Sequence, residues 1–251
     1  MIYIIGAGPG DPDLISIKGA KLLSQAELCV YAGSLVNPEL LELCKKDCPR
    51  LNSAQMTLEE VVDALHQANQ EGKLAVRLHT GDPSLYGAIQ EQIDKLISLG
   101  DEVEVIPGIS SFSATAASIQ REFTLPGVSQ TIVISRIAGR TSVPSSQSPR
   151  ELAKLKASYA FFLSVTHLDR LSEELIAGGL SKGTPCAAIY KASWPDEQKV
   201  FCTLENLAEA VRAAGFKKTT MILVGDFMRS DYERSKLYDP SFSHMFRDAS
   251  K

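Results

Sequence analysis

The chain has 251 residues, of which 44% are hydrophobic, 22% charged and 7% aromatic, the usage of a folded globular protein rather than a disordered one. Its 26 Lys and Arg against 30 Asp and Glu give a net charge of -4, which argues against a protein whose main partner is nucleic acid. The length suits one large α/β domain or two small ones, no run of about 18 apolar residues offers a membrane span, and 5 cysteines without a basic, apolar leader suit a reducing, cytoplasmic setting with no disulfide framework.

Residues 2–5 read as a first strand that runs directly into Gly6-Ala7-Gly8-Pro9-Gly10-Asp11. Alternate glycines let backbone approach a ligand closely. A dinucleotide fingerprint fails on three counts. Asp11 stands where its last glycine belongs, and Pro9 and Pro12 keep the chain from entering a helix at once. The second strand, 28–31, ends Tyr31-Ala32-Gly33 with no acidic residue for a ribose hydroxyl. No Walker-type G-x-x-x-x-G-K-[ST] occurs, so that nucleotide site is excluded. A turn with no ligand at all is the plain alternative for the glycine-rich segment. Cys44 and Cys48 lie four apart, with no second Cys or His pair to complete a zinc site.

Leu58, Val61, Val62 and Leu65 fall on one helical face, opened by a Thr57/Glu60 capping box and stopped by Gly72. The third strand, 74–79, ends in Thr80-Gly81-Asp82-Pro83-Ser84-Leu85-Tyr86-Gly87. Asp82 has two open roles, a ligand hydroxyl or amine on one hand and a helix cap on the other. His79 reads as a partly buried strand residue more than as an acid–base group. Ile89, Ile93, Leu96 and Ile97 make a second helical stripe ended by Gly100. The fourth strand, 102–106, ends in Pro107-Gly108-Ile109-Ser110-Ser111, whose serines suit an N-cap or a small polar ligand. Strands alternating with amphipathic helices are the mark of a parallel sheet with crossovers, and ligands of such sheets sit beyond the strands' carboxyl ends.

Pro126-Gly127 interrupts the pattern, and a second α/β domain follows, with strands at 131–135, 160–163, 186–190, 199–202 and 221–224. Leu168, Leu171 and Leu175 line one of its helices, and Leu204, Leu207, Ala208 and Val211 another. The loop 139–149 is rich in Ser and Pro and is read as exposed, with or without a functional role. The only tryptophan, Trp194, sits in a loop with Lys191, Ser193 and Pro195, where it could stack a planar ligand or simply pack. The expected division is 1–120 and 121–228, two tandem α/β domains with mainly parallel or mixed sheets, followed by a polar tail, 229–251.

The order and spacing of these strand-end motifs resemble those of the tetrapyrrole methylases across nearly the whole chain. Tyr31-Ala32-Gly33-Ser34-Leu35-Val36, Asn52-Ser53-Ala54-Gln55-Met56, Gly139-Arg140-Thr141 and Trp194-Pro195-Asp196-Glu197 are similar to segments of the precorrin-4 C11-methyltransferases of cobalamin biosynthesis. The resemblance implies S-adenosyl-L-methionine as methyl donor in a cleft between two domains, a small-molecule tetrapyrrole as substrate, and a homodimer. Carried over by motif, the donor contacts are Pro9, Thr80, Gly81, Asp82, Leu85, Ser110 and Ser111, with Leu163 and Ala192 at positions where other members carry Met and Gly. Methylases acting on uroporphyrinogen place Asp where this chain has Gly33, which disfavours that substrate and leaves no general base to name. A macrocycle with several carboxylates needs local positive charge, and Arg136, Arg140 and Lys191 are the expected sources. The alternatives are a methylase acting at another corrin carbon, a nicotinamide oxidoreductase, and a non-catalytic tetrapyrrole-binding protein.

Overall fold

A computed structural model describes residues 1–250, so the last position of the polar tail lies outside the described residues. The chain divides into two compact units. The first comprises Met1–Thr115 together with Lys191–Glu197, and the second comprises Ala116–Tyr190 with the chain from Gln198 onward.

In the first unit the elements run β1 (Ile2–Gly6), α1 (Ile17–Gln25), β2 (Leu28–Tyr31), α2 (Pro38–Leu41), β3 (Arg50–Asn52), α3 (Leu58–Gln70), β4 (Ala75–His79), α4 (Gln90–Ser98) and β5 (Val103–Ile106); α5 (Ser111–Ser118) begins here. The five strands form one sheet in the order β3-β2-β4-β1-β5, and every pairing is parallel. Alternation along each strand feeds two cores. Val76 and Leu78 join Ile5, Leu23, Cys29 and Ile106, while Ala75 joins Ile2, Val30, Val61, Val62, Leu65 and Leu96. The chain leaves β1 toward β2 and leaves β4 toward β5, on opposite sides of the β1–β4 pair. That is a topological switch point, where the loops after two adjacent strands part and leave a crevice.

The α3 stripe and its capping box stand as read, with Thr57 Oγ1 accepting from Glu60 N and the Glu60 carboxylate accepting from Thr57 N. The α4 stripe does not stand in full. Ile97 is 58% exposed and Gln92 is buried in its stead. The reason is Arg77, a buried arginine on the α4-facing side of β4, whose Nε donates to Gln92 Oε1 at 3.1 Å. Burying a guanidinium demands partners. Its Nη1 donates to the Val30 carbonyl at 3.2 Å, and desolvation lowers its pKa to about 10. β3 was not expected at all. It is a three-residue edge strand, exposed throughout, with no apolar run to betray it. α2 ends at Leu41, before Cys44 and Cys48, which are buried beside Cys29 in one apolar cluster.

The second unit holds β6 (Ile132–Arg136), α6 (Pro149–Ala153), β7 (Ser158–Phe162), α7 (Leu168–Ala177), β8 (Pro185–Tyr190), β9 (Gln198–Thr203), α8 (Leu207–Ala213) and β10 (Thr220–Val224). Its sheet order is β6-β7-β10-β8-β9, with β6 parallel to β7 and the other pairs antiparallel. Leu168, Leu171, Leu175, Leu204, Leu207, Ala208 and Val211 all enter its core. β7 begins two residues earlier and ends one residue earlier than the 160–163 reading. Its register against β6 starts at Ser158 and ends at Phe162, and Leu163 leaves the strand with φ 52. The tail contains a 3-10 turn at Lys236–Tyr238, and Glu233 N donates to the Pro126 carbonyl at 3.1 Å.

Candidate functional site

Three loops meet at the carboxyl ends of β1, β4 and β5. Ala7 N donates to the His79 carbonyl at 2.7 Å, and Gly8 and Gly81 exchange both backbone bonds, at 3.3 and 2.9 Å. Glycine is required here by contact. A Cβ on Gly108 would lie 2.2 Å from the Gly81 carbonyl oxygen, and one on Gly6 would lie 2.6 Å from Gly108 Cα. Gly81 differs. It has φ 59, and a Cβ there would meet nothing nearer than Ser110 Cα and Ser111 N at 3.9 Å. The loops are packed backbone to backbone on one side and open at Gly81.

Asp82 ties the second loop to the third. Its Oδ1 accepts from Ser84 N at 2.9 Å and from the Ser84 hydroxyl, and its Oδ2 accepts from Gly108 N at 3.0 Å. Burial pushes its carboxyl pKa up, but these donors outweigh burial and hold it below the ordinary value. A carboxylate has about four lone-pair directions, so one remains after these bonds. Asp82 is therefore a turn-fixing group with acceptor capacity to spare. Leu85 N donates to the Asp82 carbonyl at 3.2 Å, and Thr80 Oγ1 donates to the Leu35 carbonyl at 3.1 Å. Ser110 is buried, and its carbonyl accepts from Ser113 N and Ala114 N to start α5 at Ser111. His79 is buried and its pKa is lowered by desolvation, as suits a strand residue.

The glycine-rich loop is held from outside as well. Trp194 Nε1 donates to the Pro9 carbonyl at 3.0 Å, Asn37 Nδ2 donates to the Gly10 carbonyl at 2.8 Å, and Asp11 N donates to Ser193 Oγ at 3.0 Å. Asn37 escaped the sequence reading because Asn before Pro38 looks like a helix cap, and its Oδ1 does cap α2 through Glu39 N. After these bonds the Ala7 carbonyl and the Gly10 amide have no partner among the described residues. Buried backbone groups are rarely left so, and they are what a polar ligand would use.

The remaining expected residues are dispersed. Ala192 is buried and belongs to the first unit, in the β8–β9 connection that was expected to go with the second domain. Lys191, in the same connection, pairs with Asp196 at 2.7 Å and lies 5.2 Å from the Trp194 ring centroid. In the second unit Leu163 is 69% exposed. Arg136 turns its guanidinium onto its own loop, donating to the Thr141 and Ser142 carbonyls at 3.2 and 2.6 Å. Arg140 is exposed and has no hydrogen-bond partner among the described residues. Among the described residues, no group of three His, Cys, Asp or Glu able to hold a metal occurs, and no helix is long and apolar enough to cross a membrane.

Residues 1–208 match the family described as Tetrapyrrole (Corrin/Porphyrin) Methylases. The chain belongs to that family. This methylase is 51% identical to the cobalt-precorrin-4 C(11)-methyltransferase of Methanocaldococcus jannaschii over 100% of its own length and 97% of that relative's. It is 43% identical to the precorrin-4 C(11)-methyltransferase of Pseudomonas aeruginosa, covering 98% of both chains. A solved cobalt precorrin-4 methyltransferase superposes with a TM-score of 0.89 at 45% identity, over 90% of this methylase and 95% of that chain. The uroporphyrin-III C-methyltransferase of Thermus thermophilus, solved with S-adenosyl homocysteine, gives a TM-score of 0.77 at 26% identity, over 92% and 99%.

Proposed function

We propose that this methylase transfers a methyl group from S-adenosylmethionine to C11 of cobalt-precorrin-4 in cobalamin biosynthesis. One observation carries the reading: near full-length identity of 51% to a relative of that name. The strand-end loops suit such a donor. They offer an unpartnered amide and carbonyl, an open glycine at Gly81 and a carboxylate with spare acceptor capacity. Pro9, Thr80, Gly81, Asp82, Leu85, Ser110, Ser111 and Ala192, all in the first unit, would hold it.

When bound, the donor supplies a methyl on a positively charged sulfur, already activated for displacement by an electron-rich ring carbon. The chain's residues are therefore asked for placement and exclusion of water. Rigid, glycine-packed loops provide placement. No side chain is assigned as general base. Position 33 is glycine, and His79 is buried with its Nδ1 3.3 Å from the Thr80 carbonyl oxygen. For the substrate carboxylates, Arg140 is the ready partner, while Arg136 and Lys191 must first give up the bonds they now make. The same reading takes the chain as a cytoplasmic homodimer, and sedimentation equilibrium checks the dimer.

Incubation with donor carrying a ¹³C methyl and with cobalt-precorrin-4, followed by mass spectrometry and NMR, tests the assignment. A single label at C11 supports it. A label at another ring carbon would move this chain to another step of the family. Turnover of metal-free precorrin-4 alone would favour the substrate in the name of the Pseudomonas aeruginosa relative.

A further inference from the structure

We propose that the loop Lys191–Glu197 is a positioning clamp: Trp194 and Ser193 hold the glycine-rich loop in the shape that receives the methyl donor. The inference rests on the donor reading above and adds a role for two residues that touch the loop rather than the donor.

The clamp makes two hydrogen bonds and one close packing contact. The indole Nε1–H reaches the Pro9 carbonyl at 3.0 Å, and the Ser193 hydroxyl accepts from Asp11 N at 3.0 Å. The indole also lies against Gly10 so closely that a Cβ there would sit 2.0 Å from Nε1. Gly10 is thus glycine because Trp194 covers it. The clamp is itself built to present these groups. Lys191 and Ser193, neither of them glycine, hold φ 48 and φ 70, a backbone that side-chain-bearing residues adopt at a cost. Several bonds pin that shape. Trp194 N donates to the Lys191 carbonyl at 3.0 Å, Glu197 N to the Trp194 carbonyl at 3.1 Å, and Ser193 N to Glu197 Oε2 at 2.8 Å. Lys191 bonds Asp196 and rests over the indole ring. With Asn37 on the Gly10 carbonyl, the clamp uses the acceptors on either side of the Gly10 amide and leaves that amide over. What the clamp fixes is therefore the direction of the loop groups left for a ligand. Trp194→Phe deletes the N–H together with the five-membered ring that covers Gly10, leaving a buried carbonyl unpaired, whereas Ser193→Ala removes a single hydroxyl.

Trp194 is the only tryptophan, so its fluorescence reports on this loop alone. The experiment titrates S-adenosylhomocysteine into wild type, Trp194→Phe and Ser193→Ala by calorimetry, and into wild type by fluorescence. Ser193→Ala should bind about three- to tenfold more weakly, the range for losing one hydrogen bond, and Trp194→Phe at least as weakly, because it also loses the packing on Gly10. The donor KM should rise in step while the tetrapyrrole KM stays within twofold, and wild-type emission should change with the calorimetric Kd. Wild-type affinity in both variants, even with a lowered Tm, would make the loop a structural brace and overturn the clamp while sparing the proposed function. No binding by the wild type would overturn the donor reading and the clamp with it. Should Trp194→Phe fail to fold, Ser193→Ala, which removes one hydroxyl from a loop surface, decides alone.

Discussion

The loops after β1, β4 and β5 and the loop 136–142 after β6 use polar groups in opposite ways. In the first unit, backbone packs on backbone through Gly6, Gly81 and Gly108, and Asp82 spends its carboxylate on Ser84 and Gly108. In the second, Arg136 bonds the carbonyls of its own exposed loop and Arg140 stands in solvent. The first arrangement leaves the loop backbone no room for an added side chain at Gly6 or Gly108. The second offers charge on long, adaptable stems. A donor that must be aligned for displacement suits the former, and a carboxylate-rich macrocycle suits the latter.

The sharpest way to break this contrast is to add one methyl group to each region. Gly108→Ala forces a Cβ to 2.2 Å from a backbone oxygen that has no room to retreat. It should cost about 3 kcal/mol in urea unfolding and abolish measurable S-adenosylhomocysteine binding. Gly139→Ala meets only the far end of His167, at 3.0 Å from Nε2, and should cost under about 0.5 kcal/mol. Equal costs would erase the distinction between the two regions.

Asp82→Ala comes next. Loss of its charged hydrogen bonds, each worth about 1.5–3 kcal/mol, should weaken S-adenosylhomocysteine binding by tenfold or more and lower Tm together. Unchanged affinity with lowered Tm would leave Asp82 as a cap. A smaller effect is expected from Arg140→Ala. The tetrapyrrole KM should rise about threefold at low salt and less at high salt, with donor affinity unmoved. Arg136→Ala and Lys191→Ala should do less, because both groups are engaged already. A tetrapyrrole KM within twofold for all three single changes and for the triple change would remove these residues from substrate binding.

The smallest effect concerns pH. Burial lowers the His79 pKa from its ordinary 6.5, so the folded state resists protonation. The folded state is at full stability, as far as His79 is concerned, above about pH 6.5, and that stability falls as pH drops toward and through the depressed folded value. Urea midpoints measured between pH 7.5 and 5 should show this slope, and His79→Gln should flatten it. An unchanged slope would mean that His79 is protonated without penalty.

Much of this was legible in the sequence, for physical reasons that differ by element. α3 announced itself through its stripe and capping box, because both its packing and its start are local. β3 did not, because an exposed three-residue edge strand carries no pattern. Ile97 misled, since periodicity cannot foresee that a buried Arg77 claims Gln92 for the inward position. The strand-end glycines were visible as motifs, but not that Gly6 and Gly108 serve contact with each other while Gly81 stays open. Nor could the sequence bring residues 191–197 to Pro9 and Asp11, which lie more than 180 positions away.

The central claim is that the donor is seated on the rigid strand-end loops of the first unit. Hydrogen–deuterium exchange with and without saturating S-adenosylhomocysteine tests it most directly, because the claim concerns backbone amides. Protection is expected at residues 6–11, 80–85 and 107–111, and none at 136–142. Protection confined to 136–142, with the three glycine-bearing loops exchanging as before, would contradict it.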